Sequence, residues 1–124
     1  MSDEVRLALS GAFGQNIRFK SVDIARYAKD DYLRRHSDTF DDRRFGFVWF
    51  FSAGWSPGDG GELVIENEEG AALVVAPQQG NLAILTFRPG SFHQVAVIRS
   101  EHWTRYSIAT HFAESCNASP AFSG

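Results

Sequence analysis

The stretch that decides the fold spans residues 45–65 and reads FGFVWFFSAGWSPGDGGELVI. It opens with an apolar, β-prone run at 45–51, which predicts a strand buried on both faces. Residues 56–61 are dense in Pro, Gly, Ser and Asp, which predicts a tight connection. A second strand is expected at 62–65. Two strands joined by one short turn indicate a β fold.

Similar patterns lie on both sides of this stretch. Alternating or continuous apolar residues separated by turn signals predict further strands at 17–27, 32–38, 71–76, 81–87, 91–98 and 105–112. Residues 5–13 fit a helix or a strand and stay open. Seven or eight short strands with brief loops predict an all-β fold with minor α content, a sandwich or small barrel, for which the jelly roll is the natural candidate.

Composition limits the classes of function. The chain of 124 residues fits one domain, so residues 1–124 are expected to share a single core. A net charge of -3 argues against nucleic-acid binding, which needs a clustered basic surface. The apolar runs are too short to span a membrane. The lone Cys116 cannot form an internal disulfide, and with no signal-type N-terminus the sequence predicts a cytoplasmic protein.

A metal site is the first candidate for chemistry. His36 and Asp38 are two residues apart, so on a strand both side chains leave the same face. His93 follows in another predicted strand and can join them if the sheet folds back. Two imidazoles and one carboxylate leave positions open on a metal, which suits a redox iron better than a hydrolytic zinc. A core or rim histidine is the plainer alternative for His93, and His102 and His111 are given ordinary roles.

A carboxylate-binding pair is the second candidate. Arg105 and Ser107 share one strand face, so a guanidinium and a hydroxyl address the same space, while Tyr106 points to the other side. A buried Arg needs an anion, and its own strand supplies no acidic residue. A dicarboxylate cosubstrate meets that need.

These residues resemble the 2-oxoglutarate- and Fe(II)-dependent oxygenases, in particular the prolyl-4-hydroxylase-like branch (prolyl hydroxylase domain). The matching segments are YAKDDYLRRHSD at 27–38, GGEL at 60–63, GNL at 80–82 with Phe87, and His93 with RYS at 105–107. Order, spacing and residue type agree at all of these places. The resemblance covers about residues 27–112.

The resemblance implies a double-stranded β-helix, a cupin-like jelly roll, with iron held by His36, Asp38 and His93. It implies Fe(II), 2-oxoglutarate and O2 as cofactor and cosubstrates, and it allows ascorbate. Arg105 would bind the distal carboxylate of 2-oxoglutarate with help from Ser107 and Tyr27. No catalytic residue beyond the metal centre is predicted, and no substrate-binding residue is assigned.

The expected function is dioxygenase hydroxylation of a C–H bond. The similarity leans toward a prolyl residue in a protein or peptide as substrate. Two alternatives stay open: a hydroxylase of a small molecule such as a free amino acid, and a metal-binding jelly-roll module without turnover of its own.

The chain also departs from the family pattern near its N-terminus. Most of the usual N-terminal helical segment is expected to be missing, which fits a minimal member, a fragment, or a chain completed by a partner subunit. Sheet left exposed by that loss would favour a homodimer.

Overall fold

The computed structural model describes residues 17–37 and 43–114. Within these ranges the chain forms eight strands and one 3-10 turn at Pro57–Asp59. The strands are β1 Ile17–Tyr27, β2 Leu33–His36, β3 Arg43–Phe50, β4 Leu63–Glu66, β5 Ala72–Val75, β6 Leu82–Thr86, β7 Phe92–Val95 and β8 Arg105–Glu114. The predicted all-β class is confirmed. Residues 5–13, which fitted helix or strand, lie outside the described ranges.

Two four-stranded antiparallel sheets make up the fold. We call the sheet ordered β1-β8-β3-β6 the major sheet and the sheet ordered β2-β7-β4-β5 the minor sheet. Strand β1 pairs with β8, β2 with β7, β3 with β6 and β4 with β5. The chain is therefore one long hairpin that turns back between β4 and β5 and is rolled into two layers. This is the jelly-roll arrangement that the sequence predicts.

The main core lies between the inner faces of the two sheets. Its buried members come from both layers: Phe50, Leu63, Ala83, Leu85, Phe87 and Val95. Strand β6 shows why the sequence folds this way, because Ala83 and Leu85 are buried while their neighbours Leu82, Ile84 and Thr86 are exposed. Burying a Leu or Phe side chain stabilises a fold by roughly 1.5–3 kcal/mol.

Strand β3 differs from its prediction at one end. The strand ends at Phe50, and Trp49 is 53% exposed, so residues 45–51 are not buried on both faces throughout. The side chains alternate, and Trp49 points to the outer face of the major sheet, which is open at this position. Nearer the start of β3, a second cluster of Phe45, Phe47 and Phe112 packs on that outer face.

The described ranges contain no helix long and apolar enough to cross a membrane.

Candidate functional site

A cavity of about 230 Å³ lies between the two sheets. It is lined by Tyr27, His36, His93, Arg105 and Ser107, among others. The structure thus brings together five of the six residues that the sequence singles out. The sixth, Asp38, lies outside the described residues.

Two cross-strand pairs place these side chains. His36 of β2 is directly opposite His93 of β7, and Tyr27 of β1 is directly opposite Arg105 of β8. The centroids of the two imidazole rings are 4.1 Å apart. Residues far apart in sequence meet here because the chain pairs its first half with its second half.

An irregularity in β2 points His36 into the cavity. Leu33 and His36 both line the cavity although an odd spacing of three would put them on opposite faces of a regular strand. A shift of register between them interrupts the alternation of faces, so that both side chains point inward. The two residues in between face outward. Nδ1 of His36 lies 2.9 Å from the carbonyl oxygen of Arg34.

That contact identifies which nitrogen of the His36 ring donates a hydrogen bond. A carbonyl oxygen only accepts hydrogen bonds, so Nδ1 is the donor in this contact, which in a neutral ring leaves Nε2 with the lone pair. Metal-binding histidines commonly donate one ring N–H to a carbonyl and use the other nitrogen as the ligand. His36 therefore fits a metal ligand in its ring chemistry as well as in its position.

The described part of the chain supplies two of the three predicted metal ligands. No three His, Cys, Asp or Glu side chains within residues 17–37 and 43–114 form a group that could hold a metal ion. The paired imidazoles of His36 and His93 fit two positions of a two-His, one-carboxylate set. Asp38, two residues beyond His36, is the predicted carboxylate.

Arg105 occupies the other end of the cavity. Its side chain is buried, and it donates from Nε to the carbonyl oxygen of Gly61 at 3.0 Å and from Nη1 to Oγ of Ser107 at 3.1 Å. The guanidinium carbon lies 4.9 Å from the centroid of the Tyr27 ring and 5.0 Å from that of Phe50. None of the carboxylates in the described ranges forms an ion pair with it.

Burial lowers the pKa of Arg105 to about 10, with the neighbouring Tyr27 acting in the opposite direction. The group therefore keeps its charge at neutral pH. A buried cation held by neutral acceptors and aromatic rings is prepared for an anion. A carboxylate-binding role for Arg105 stays a prediction, with which its burial and charge are compatible.

Gly61 is a site residue that sequence reasoning did not assign. Its φ of +79° is in the left-handed region, and an added Cβ would lie 2.6 Å from Cδ1 of Ile98 and 3.3 Å from Cδ of Arg105. Only Gly fits here, and its carbonyl holds the guanidinium. The Gly60-Gly61 pair was visible in the sequence, but its role depends on contacts across the fold.

His111, which the sequence analysis gave an ordinary role, also lines the cavity. Strand β8 continues to Glu114, and His111 is buried within it. Its Nδ1 lies 3.2 Å from Oγ of Ser21 and 3.7 Å from Oδ2 of Asp23. The ring of Phe87 is near both His93 and His111, with its centroid 5.8 Å from that of His93 and 5.9 Å from that of His111.

Comparison with known proteins agrees with this geometry. Residues 22–113 match the sequence profile of the 2OG-Fe(II) oxygenase superfamily. The chain belongs to this superfamily. This 2OG-Fe(II) oxygenase is 34% identical over 101 residues to "Prolyl 3-hydroxylase OGFOD1" of Xenopus laevis. The matched region covers 75% of this chain and 20% of that protein. It is 29% identical over 120 residues to the Mus musculus protein of the same name, covering 90% and 22%.

Solved structures give the same result for the oxygenase fold. A Pseudomonas putida prolyl-4-hydroxylase superimposes with a TM-score of 0.73 at 30% identity, over 91% of this chain and 63% of that one. A 2OG-Fe(II) oxygenase-family protein from Burkholderia pseudomallei superimposes with a TM-score of 0.76 at 22% identity, over 90% and 51%. The resemblance to the prolyl-hydroxylase-like branch and the double-stranded β-helix are both confirmed. The chain spans about a fifth of the length of the curated relatives.

Proposed function

We propose that this chain is an Fe(II)- and 2-oxoglutarate-dependent dioxygenase that hydroxylates a prolyl residue in a protein or peptide. The observation that carries the proposal is one cavity with a pair of imidazoles at one end and, at the other, a buried Arg105 that no carboxylate within residues 17–37 and 43–114 pairs with. A metal site alone would leave Arg105 unexplained. A 2-oxo dicarboxylic acid explains both ends.

His36 and His93, with Asp38, would hold the iron. The pairing of the imidazoles and the protonated Nδ1 of His36 fit this role. Iron bound with 2-oxoglutarate supplies the activation of dioxygen for oxidation of the C–H bond.

Arg105 and Ser107 would orient the cosubstrate. Oγ of Ser107 accepts a hydrogen bond from Arg105, so its own hydrogen can be donated to a carboxylate in the same place. Tyr27, directly opposite Arg105, offers its phenol to the same end of the cavity. Binding the distal carboxylate here leaves the 2-oxo acid end to point toward the imidazoles.

Apolar side chains would exclude water from this site. Leu33, Leu63, Leu85 and Val95 line the cavity between its polar ends. A cavity with apolar walls strengthens the attraction between Arg105 and a bound carboxylate, because little water is present to screen it.

The choice of a prolyl substrate is supported by the names of the relatives. The two curated relatives are named prolyl 3-hydroxylases, and the structure at 30% identity is of a prolyl-4-hydroxylase. Because the chain covers about a fifth of the curated relatives, the activity of those whole proteins comes to this chain only as part of the proposal.

The test is release of succinate from 2-oxoglutarate with Fe(II), assayed with and without ascorbate. We expect release to increase with proline-containing peptides and not with free proline. Arg105→Ala should abolish the peptide-dependent release. Normal turnover by that variant would refute the role of Arg105, and stimulation by free proline alone would favour the small-molecule alternative.

A further inference from the structure

The outer face of the minor sheet carries an ion pair directly behind the two imidazoles. Arg35 donates from Nε to Oε2 of Glu66 at 2.7 Å and from Nη2 to Oε1 at 3.2 Å. The guanidinium carbon of Arg35 lies 3.8 Å from the centroid of the Phe92 ring. We call these three residues the outer strap.

The outer strap spans three strands of the minor sheet. Arg35 is on β2, Phe92 on β7 and Glu66 on β4, and these strands are neighbours in the order β2-β7-β4. Glu66 and Phe92 are directly opposite each other. The strap therefore ties the edge strand β2 to a strand with which it has no backbone pairing.

Two residues of the strap are sequence neighbours of the two histidines. Arg35 precedes His36, and Phe92 precedes His93, so the strap lies on the back of the same backbone that presents the two imidazoles. Alternation along a strand fixes this relation, since adjacent side chains leave opposite faces. Because Arg35 and His36 share a peptide bond, a shift of the Arg35 backbone also shifts the backbone of His36.

Strand β2, which carries His36, has less backbone support than β7, which carries His93. It has four residues, it lies at the sheet edge, and its pairing with β7 contains the register shift before His36. A bidentate Arg–carboxylate pair stacked on an aromatic ring is the geometry in which an exposed ion pair has a measurable effect.

We propose that Arg35, through its bonds to Glu66 and its stacking on Phe92, is a positioning residue that holds His36 at the correct distance from His93 for metal binding. The inference rests on the proposed function of the two histidines as metal ligands. Arg35 itself faces away from the cavity and is not among the residues that line it.

The experiment measures binding of Co(II) to the metal-free chain by calorimetry and by the visible absorption spectrum of the bound ion. We expect Arg35→Ala to weaken Co(II) binding by about tenfold, the lower end of the range for lost outer-shell support of a metal ligand. The spectrum of the bound ion should change as well. Arg88→Ala is the matched control, because it removes the same charge from an exposed position, where Arg88 is loosely paired with Glu68, without touching the strap.

Two further variants separate positioning from folding. The exchanged pair Arg35→Glu/Glu66→Arg should restore much of the affinity, since it rebuilds the ion pair with reversed polarity. Hydrogen exchange of the metal-free chain should show faster exchange at residues 33–37 in Arg35→Ala, with exchange in β8 unchanged. Faster exchange throughout the chain would mean a general loss of stability and would overturn the proposal.

The outcomes distinguish this inference from the proposed function. If the wild-type chain binds Co(II) and Arg35→Ala binds it equally well, the strap has no positioning role and only the inference fails. If the wild-type chain binds no Co(II), the metal site and the inference both fail.

Discussion

The two sheets position their site residues in different ways. Tyr27 and Arg105 lie on the long strands β1 and β8 of the major sheet, which have 11 and 10 residues and pair along almost their whole length. His36 and His93 lie on strands β2 and β7 of the minor sheet, which have four residues each. The Arg105 end of the cavity is thus fixed by many backbone hydrogen bonds, whereas the end with the two imidazoles depends on few.

This contrast predicts which positions tolerate substitution without a change of structure. A long antiparallel ladder distributes the loss of one side chain over many remaining bonds, whereas a four-residue edge strand cannot. Substitutions at Arg105 should therefore change chemistry more than structure. Substitutions in or behind β2 should alter the geometry of the His36–His93 pair and of the proposed metal site.

The largest expected effect is on the minor sheet. His93→Ala removes one of two facing imidazoles, so metal affinity should fall beyond the roughly 10–100-fold loss typical of an outer-shell change. Calorimetric titration with Fe(II) under argon measures it. His102→Ala, in the exposed loop before β8, is the control and should bind as the wild type does. Unchanged affinity in His93→Ala would contradict the proposed metal site.

On the major sheet, Arg105→Met should reduce affinity for 2-oxoglutarate by about 100-fold, since two hydrogen bonds to a charged group contribute about 3 kcal/mol or more. The free energy of unfolding of the ligand-free chain should rise by about 1 kcal/mol, because an unpaired buried charge is removed. Calorimetry and denaturant unfolding measure the two effects.

The control for this variant is Arg88→Met at an exposed position, which should change neither quantity. A fall in stability of Arg105→Met would mean that the bonds to Gly61 and Ser107 outweigh the cost of burying the charge.

A smaller effect concerns the backbone that holds Arg105. Gly61 and Gly70 have similar φ values of +79° and +84°, but an added Cβ meets Ile98 at Gly61 and nothing within 4 Å at Gly70. Gly70→Ala should cost about 1 kcal/mol of unfolding free energy. Gly61→Ala should cost about 2 kcal/mol more, because it overpacks the core. Equal costs in urea unfolding would show that the side chains packed against Gly61, Ile98 above all, move aside at no cost.

The smallest effect is expected from the phenol opposite Arg105. Tyr27→Phe removes one neutral hydrogen-bonding group, so affinity for 2-oxoglutarate should fall about fivefold, equivalent to about 1 kcal/mol. Tyr32→Phe is the matched control, because Tyr32 is 64% exposed and does not line the cavity. Equal binding by both variants would remove Tyr27 from the cosubstrate site.

Much of the fold could be predicted because strands have a period of two. The alternation in β6 and the turn residues at 56–61 are local signals, and they gave the correct strand order along the chain. The exposure of Trp49 could not be predicted, since an apolar run does not reveal which face another layer covers. That information lies in packing between distant segments.

The candidate site was predictable by residue type and less so by geometry. Arg105 and Ser107 could be paired because they share one strand face, and the structure shows them hydrogen-bonded. The register shift that turns His36 inward, the carbonyl of Gly61 and the position of His111 depend on cross-strand register. Local sequence does not specify register, so these features required the structure.

The nested strand pairing has a consequence for how the molecule forms. Tyr27 meets Arg105 only after β8 has joined β1, and His36 meets His93 only after β7 has joined β2, so both site pairs are long-range contacts. Contacts of high sequence separation slow folding, because a long loop must close before they stabilise anything. A chain leaving the ribosome therefore lacks the His36–His93 pair until β7 has emerged and the Tyr27–Arg105 pair until β8 has emerged. Binding of 2-oxoglutarate at Arg105 would therefore follow the pairing of β8 with β1 and could not assist it.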